Sequence, residues 1–437
     1  MGQESTGSAK AKRGAEARDW SWVEASVWTE RMVSALGNGV KGGRWYSLMD
    51  KVAAPRTLEV AWTKVRANKG AAGVDGVSVD RFAARSEAYL TELSVALQAG
   101  TYCPQPVKRV EIAKGDGRTR PLGIPAVKDR IVQTALKLVI EPIFEAVFCA
   151  GSYGFRPGRG CHDALRAVEG LIKEGYTVAV DADLEEYFDS IPHERLMERL
   201  AARISDGRVL DLVGRFVGQD VLRGVERWTP TVGTPQGAVI SPLLANLYLH
   251  PLDEHMAALG YRMVRYADDF VVLCRSRAAA DAALAEIRRW VADNGLRLHS
   301  DKTQVGDCRE PGQGFEFLGY RFEAGRRWVR KKSLDRIKDG IRAKTRRTRG
   351  QSLERIVGDL NRMLRGWFGY FKHAHPYTFK RLDGFIRRRL RALLRKQVKG
   401  FGSGRARGDH ERWTNAYFAA AGLFALYPAW QAARHSR

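Results

Sequence analysis

Apolar residues along the chain follow two spacings, one typical of helices and one typical of strands. Helical spacing covers 45–82, 129–148, 243–254, 278–294, 333–347, 353–371 and 379–398. Runs rich in β-branched and aromatic residues cover 108–114, 176–183, 261–274 and 315–322. Helices and strands therefore alternate through the first three quarters of the chain, and the last quarter is predicted to be helical. The helix at 129–148 is expected to be interrupted at Pro142, because proline lacks the amide that continues a helix.

Two adjacent carboxylates stand inside the third strand-like run. Asp268 and Asp269 separate Tyr261–Tyr266 from Phe270–Cys274, a pattern that predicts a β-hairpin with acids at its tip. Neighbouring carboxylates repel, and in an apolar setting they are protonated or destabilising unless a cation lies between them. The alternative is an ordinary solvated turn, since aspartate is a favoured turn residue.

Another strand supplies a partner carboxylate. The apolar run that begins at Tyr176 ends in Asp181 and Asp183. Carboxylates from two strands can hold a pair of magnesium ions, which bind a few protein oxygens and complete their shells with water and substrate phosphate. Two such ions, about 3.5 to 4 Å apart, promote in-line phosphoryl transfer. The pattern therefore predicts the chemistry of a nucleic-acid polymerase.

The charge distribution points to a polyanionic partner. The chain has 437 residues, 44% of them apolar, and a formal net charge of +24. Residues 326–437 contain 30 Lys and Arg against 7 Asp and Glu, so almost all of the excess lies there. Because aromatic residues are interleaved with these basic ones, we expect phosphate contacts and base stacking by this region. A merely solvated basic face is the alternative.

Cysteines and hydropathy exclude other classes. The five cysteines are scattered and form no C-x-x-C pair, which indicates a reducing compartment and no structural zinc. No zinc-finger-like endonuclease is therefore expected at the C terminus. No run of about 18 apolar residues is present, so no membrane span is expected.

Short motifs follow one another in a fixed order. They are Ala67–Gly70 with Gly73–Gly76, Arg120–Pro125, Ser152–Gly158, Asp181–Asp183 with Phe188–Asp189, Thr234–Gly237 with Ser241–Leu244, Tyr266–Asp269, Lys302–Thr303, Phe317–Tyr320 and Leu364–Trp367. In order and spacing they resemble the bacterial group II intron-encoded reverse transcriptase and maturase family, from about Trp28 to the C terminus.

The resemblance implies an α/β (α+β) right-hand polymerase with fingers, a palm and a basic helical thumb. The implied segments are a flexible arm at 1–30, an N-terminal extension and fingers at 31–175, a palm at 176–325, a thumb and maturase region at 326–399, and a basic, aromatic DNA-binding-like segment at 400–437 without an HNH endonuclease. The location implied is the bacterial cytoplasm, in association with the nucleoid.

The resemblance also assigns residues. Asp183, Asp268 and Asp269 would be catalytic and hold two Mg²⁺ ions, with Asp181 as the alternative third ligand. Phe188 would lie under the sugar and exclude a 2′-hydroxyl, or else be plain core. Lys114 and Arg120 would bind the triphosphate; the alternative is that they are ordinary exposed charges. Gln236 and Gly237 would lie at the nascent base pair. Tyr266 and Lys302 complete the set of expected substrate-binding residues. The expected RNA-binding residues are Arg342, Lys344, Arg346, Arg347, Arg362, Arg365, Arg388 and Arg391.

The implied function is RNA-directed DNA polymerisation, together with binding of a group II intron RNA to promote splicing and mobility. The implied partners are that intron RNA, an RNA template with a DNA or RNA primer, deoxynucleotides and target DNA. Two alternatives remain open: a reverse transcriptase of a retron or defence element, and an RNA-binding splicing cofactor without polymerase activity. Clustered carboxylates disfavour the cofactor, and the long basic region after Tyr320 disfavours the retron.

Overall fold

The computed structural model describes residues 19–113, 119–348, 350–398, 400 and 402–435. The chain divides into two compact units. The first contains the described residues up to Gly160 with Glu185–Glu254 and Asn294–Leu296. The second contains Cys161–Leu184, His255–Asp293 and the described residues from Arg297 onward, so the predicted palm at 176–325 contributes to both units.

Helices make up most of the regular structure. In chain order they are α1 Glu30–Asn38, α2 Met49–Val52, α3 Pro55–Asn68, α4 Val79–Ala83, α5 Ser86–Ala99, α6 Val127–Glu145, α7 Cys161–Lys173, α8 Tyr187–Ser190, α9 His193–Ala201, α10 Gly207–Val217, α11 Ser241–Ala258, α12 Arg277–Asp293, α13 Lys331–Lys344, α14 Leu353–Phe371, α15 Pro376–Gln397, α16 Arg407–Arg412, α17 Asn415–Ala420 and α18 Leu426–His435. None of these described helices is long and apolar enough to cross a membrane.

The described strands form three sheets. They are β1 Val107–Ala113, β2 Thr119–Ile124, β3 Val178–Asp183, β4 Val221–Arg223, β5 Glu226–Trp228, β6 Arg262–Tyr266, β7 Asp269–Cys274, β8 Gln304–Asp307, β9 Phe315–Phe317, β10 Tyr320–Glu323 and β11 Arg326–Val329. The first unit contains the sheet β2-β1-β4-β5. The second contains β6-β7-β3-β8 and β11-β10-β9.

The sheet β6-β7-β3-β8 is fully antiparallel and positions the acidic residues. Its central strands β3 and β7 are buried along almost their whole length, with Ala179, Val180, Val271 and Val272 at zero exposure. Helices α7 and α12 pack against this sheet. Apolar side chains on both faces explain why the run at 176–183 reads as a continuous hydrophobic strand rather than an alternating one.

In the first unit, α6 is the most buried helix and α2, α3 and α5 pack against it. It runs through Pro142 without a break, so the interruption expected there was wrong. Glu145, the last residue of α6, forms an ion pair with Arg156, in which Nε of Arg156 lies 2.9 Å from Oε2 of Glu145. Nη1 of Arg156 also donates hydrogen bonds to the carbonyls of Cys149 and Ser152. The side chain of Arg156 is only 2% exposed. Arg156 therefore holds the loop 152–158 together instead of presenting its charge to a ligand.

The predicted strand at 315–322 is a hairpin. β9 and β10 are antiparallel partners, joined by Leu318 and Gly319 with φ of +48° and +80°. Glycine adopts this left-handed region freely, whereas leucine at positive φ is strained by its Cβ. The sequence signal failed here because the alternating aromatic residues continue through the turn.

The C-terminal helices enclose an aromatic core. Phe368, Phe371 and Phe379 are buried, and the ring of Trp367 packs 4.8 Å from that of Phe371. Tyr377 and Tyr417 are exposed, at 53% and 41%. The buried rings belong to the core, so the expectation that they stack on bases does not hold for these side chains.

Candidate active site

The acidic hairpin is built as a two-residue turn. Tyr266 of β6 pairs with Asp269 of β7, which leaves Ala267 and Asp268 at the tip. Ala267 has φ of +61°, and its carbonyl accepts a hydrogen bond of 2.9 Å from Nη1 of the fully buried Arg265. A left-handed non-glycine residue is typical of tight hairpins at functional sites and depends on its neighbours for support.

The register of the sheet brings the predicted carboxylates to one end. Asp183 of β3 is the cross-strand partner of Asp269, and Asp268 precedes it in the turn. Asp181 lies two residues further inside the strand and is 9% exposed. Its carboxylate accepts weak hydrogen bonds from Nε2 of Gln304 at 3.4 Å and from the amide of Glu316 at 3.3 Å. Asp183, which is half-buried, is thus the better placed of the two alternatives.

Burial and the neighbouring negative charges both raise the pKa values of these carboxylates. Burial and the charges of Asp181, Asp268 and Asp183 raise the pKa of Asp269 to about 7. Burial raises the pKa of Asp181 to about 6, with further increases from Glu316 and Asp183. A cation at this end of the sheet would favour the charged forms and relieve the repulsion.

One cation of the chain already lies there. Lys302 Nζ is 2.5 Å from Oδ2 of Asp183, which supports the expectation that Lys302 belongs to the site. Among the described residues, no three His, Cys, Asp or Glu side chains are arranged as a ready metal site. The donors themselves are hard carboxylate oxygens, which fit Mg²⁺. The donor atoms therefore fit a divalent ion. In this structure one of the carboxylates, that of Asp183, forms an ion pair with the ammonium group of Lys302.

Tyr370 of α14 is connected to Asp269 through the peptide of Leu318, a contact that the sequence did not predict. The hydroxyl of Tyr370 donates to the carbonyl of Leu318 at 2.8 Å, and the amide of Leu318 in turn hydrogen-bonds the carboxylate of Asp269. The carbonyl of Tyr370 accepts from the Tyr320 hydroxyl at 2.6 Å and contacts His162 Nε2 at 2.9 Å. A C-terminal helix is thereby connected to a candidate catalytic residue through one strained peptide. The helical spacing at 353–371 predicted this helix, but no signal in the sequence pointed to its contact with Leu318.

Tyr266 is engaged within the same unit. A hydrogen bond to Cys161, followed by burial, raises the pKa of its hydroxyl to about 12. Its backbone pairs with Asp269, so the residue borders the carboxylates as predicted. Whether it also contacts substrate remains a prediction.

The first unit brings three of the predicted nucleotide residues together. Arg120 Nε donates to Oε1 of Gln236 at 2.9 Å, and Nε2 of Gln236 donates to Asp189 at 3.2 Å. Gly237 has φ of +108°, and a Cβ there would lie 2.4 Å from the carbonyl oxygen of Gly123. The lack of bulk at Gly237 therefore accommodates strand β2 of the protein itself. Lys114 lies outside the described residues.

Phe188 and its neighbour have different environments. Tyr187 is 2% exposed and donates to the carbonyl of Ala245, so it is core. Phe188 is half-buried and meets Phe155 edge to face at 6.3 Å. Its partial exposure keeps the predicted contact with a sugar open.

The predicted RNA-binding residues fall into two groups. Most are partly or fully exposed and lie on α13–α15 or in the loop after α13. Several also contact the protein itself. Arg342 pairs with Asp339 and Arg362 with Asp359, while Arg365 lies over the ring of Phe424 and Arg388 over that of Phe385. This group comprises Arg342, Lys344, Arg346, Arg347, Arg362, Arg365 and Arg388. Arg391 differs. It is 4% exposed and donates to the carbonyl of Trp413, so its assignment to RNA was wrong.

Comparison with known proteins identifies two domains. Residues 112–322 match the family model of the reverse transcriptase (RNA-dependent DNA polymerase), and residues 334–413 match the group II intron, maturase-specific domain. The candidate carboxylates lie within the first match, and α13–α15 lie almost wholly within the second.

The chain is also similar to individual proteins. Protein YkfC of Escherichia coli (strain K12) is 35% identical over 63% of this chain and 82% of its own length. The group II intron-encoded protein LtrA of Lactococcus lactis subsp. cremoris is 37% identical over 48% of this chain. This chain covers only 35% of LtrA. A solved telomerase from Candida albicans, in complex with a fragment of telomeric RNA, has 11% identity and a TM-score of 0.41, over 79% of this chain and 69% of that one.

Proposed function

The chain belongs to the family of group II intron-encoded reverse transcriptases and maturases, and from this premise we propose that it copies RNA into DNA with two Mg²⁺ ions held by Asp183, Asp268 and Asp269. The observation that carries the proposal is the register of β3 and β7, which makes Asp183 and Asp269 cross-strand neighbours beside the tip residue Asp268. When bound, the ions would activate the primer hydroxyl and stabilise the departing pyrophosphate oxygen.

The other residues assigned to the reaction have separate tasks in this proposal. Lys302 neutralises Asp183 before the ions and substrate bind. Arg120, held by Gln236, offers its charge to the triphosphate, and Phe188 excludes a ribose 2′-hydroxyl by occupying its space. Leu318 orients Asp269 through its amide.

The maturase-specific match supports a group II intron RNA as the structured partner. We assign its binding to the exposed basic residues of α13–α15, since folded RNA presents phosphates and 2′-hydroxyls on its surface. Deoxynucleotides, an RNA template with its primer, and target DNA complete the proposed set of partners. The bacterial cytoplasm, near the nucleoid, is the proposed location because intron RNA and target DNA are both accessible there.

The test is primer extension on an RNA template with deoxynucleotides and magnesium. Asp268→Asn and Asp269→Asn should each reduce extension by at least about 100-fold, because each removes a charged ligand without changing the size of the side chain. RNA affinity should change little. Asp301→Asn is the matched control, since Asp301 is exposed and close in sequence to Lys302. Extension by either site variant at the rate of the control would refute the assignment.

A further inference from the structure

A basic cavity in the second unit is lined by residues to which no individual role has been assigned above. Its volume is about 390 Å³, and it is formed by the start of β11, the loop between α14 and α15, and α18. That volume lies in the range of pockets that hold small ligands, about 300 to 1,000 Å³. The cavity is therefore large enough for a phosphate group with its sugar.

The charges that line this cavity are mostly positive. Arg326, Arg327, Lys372 and Arg434 contribute four cationic groups, and Glu169 contributes the one carboxylate among the lining residues. Glu169 pairs with Arg327, with 3.1 Å between Oε1 and Nη1. Within the described part of the chain, Arg326 and Lys372 form no ion pair, and both are exposed. Neither of these two cationic groups has a counter-charge among the described residues.

A helix that begins at the cavity adds to the positive potential. The cavity includes Pro376, the first residue of the 22-residue helix α15, and a helix N-terminus carries a partial positive charge. Burial and then the nearby charge of Arg326 lower the pKa of His375. A ligand with phosphate oxygens would complement the exposed cationic groups and the helix N-terminus.

We propose that this cavity binds a phosphodiester of the RNA backbone through Arg326 and Lys372. The proposal rests on the function proposed above and adds a contact outside the basic residues already assigned on α13–α15. A phosphodiester is favoured over an acidic peptide because the unpaired groups are cationic, the cavity has room for a phosphate with its sugar, and the maturase-specific match supports RNA as the partner. Free pyrophosphate shares the anionic chemistry, and the experiment distinguishes it.

The experiment measures the affinity of the full chain for a folded group II intron RNA at several salt concentrations. The variant carries Arg326→Gln and Lys372→Gln, which remove the unpaired charges. Loss of one phosphate contact should flatten the slope of log affinity against log salt by about 1 and weaken binding about fivefold to tenfold at 0.1 M salt. The matched control carries Arg288→Gln and Arg297→Gln, which remove two exposed charges of the same unit. Thermal melting of both variants verifies folding.

The outcomes separate cleanly. A flatter slope in the cavity variant and an unchanged slope in the control support the proposal. Equal slopes in both variants overturn it. Displacement of RNA from wild type by millimolar pyrophosphate, with no change of slope in the cavity variant, would identify a site for free anions and also overturn it. Because the readout is RNA affinity, this test is independent of whether the aspartate variants lose polymerase activity.

Discussion

Replacement of Tyr370 by phenylalanine tests whether a C-terminal helix positions Asp269, the carboxylate proposed to be catalytic. The substitution removes one hydroxyl, which donates to the Leu318 carbonyl at 2.8 Å, and leaves the ring in place. Leu318 has φ of +48°, a conformation that costs a leucine about 1 to 2 kcal/mol. Without the hydroxyl, the peptide can relax toward a less strained conformation, and its amide then no longer points at Asp269.

The magnitude follows from the one hydrogen bond that is lost. A buried neutral hydrogen bond contributes about 1 kcal/mol net, which corresponds to about a fivefold change in rate. We expect kcat for deoxynucleotide addition to fall about fivefold, while KM for the nucleotide and the affinity for primer and template change less than about twofold. The loss should appear in kcat because the carboxylate acts on the reacting groups rather than on binding.

Single-nucleotide addition under pre-steady-state conditions is the assay, and Tyr320→Phe is the control. Tyr320 donates a hydrogen bond of 2.6 Å to the carbonyl of Tyr370, so its loss weakens the same cluster without touching Leu318. If both variants lower kcat equally, the effect is general destabilisation. If Tyr370→Phe leaves kcat unchanged, the connection through Leu318 has no catalytic role.

Three other substitutions test separate features. Phe188→Ala should raise ribonucleotide incorporation relative to deoxynucleotide incorporation, and an unchanged ratio in single-nucleotide assays would make Phe188 a core residue. Arg156→Met should lower the unfolding free energy by about 3 to 5 kcal/mol in urea denaturation, whereas adding Glu145→Leu should recover much of the loss. Burial raises the pKa of Asp129 to about 6, so the folded protein favours the protonated carboxyl. The stabilisation is fully present below about pH 4, and the unfolding free energy falls by on the order of 3 kcal/mol as the pH rises through 6. Asp129→Asn should remove that part of the pH dependence, and identical stability profiles for both proteins would contradict the assignment.

The sequence predicted the acidic hairpin well because its signals are local. Two apolar strands flank the acidic pair, and the hairpin forms there. The turn itself lies one residue earlier than predicted, at Ala267 and Asp268, because Asp269 pairs with Tyr266 as the first residue of β7. The pairing of Asp183 with Asp269 is not local, since it depends on strands that are about 85 residues apart in the chain. The motif resemblance supplied that pairing, and the sheet register agrees with it.

Basic residues in the C-terminal region show why composition alone misassigns individual side chains. Arg388 and Arg391 lie on the same helix, and both follow the same pattern of arginines among aromatic and aliphatic residues. Arg388 keeps part of its side chain exposed. Arg391 is buried and donates a hydrogen bond to the carbonyl of Trp413. Trp413 lies beyond the helix, in a segment whose position the periodicity of α15 does not encode. A guanidinium satisfies a carbonyl or a phosphate with the same donors, so its partner is decided by tertiary packing and not by residue type. This reasoning favours Arg326 and Lys372 for RNA contact: they are exposed, and neither pairs with a carboxylate in the described part of the chain.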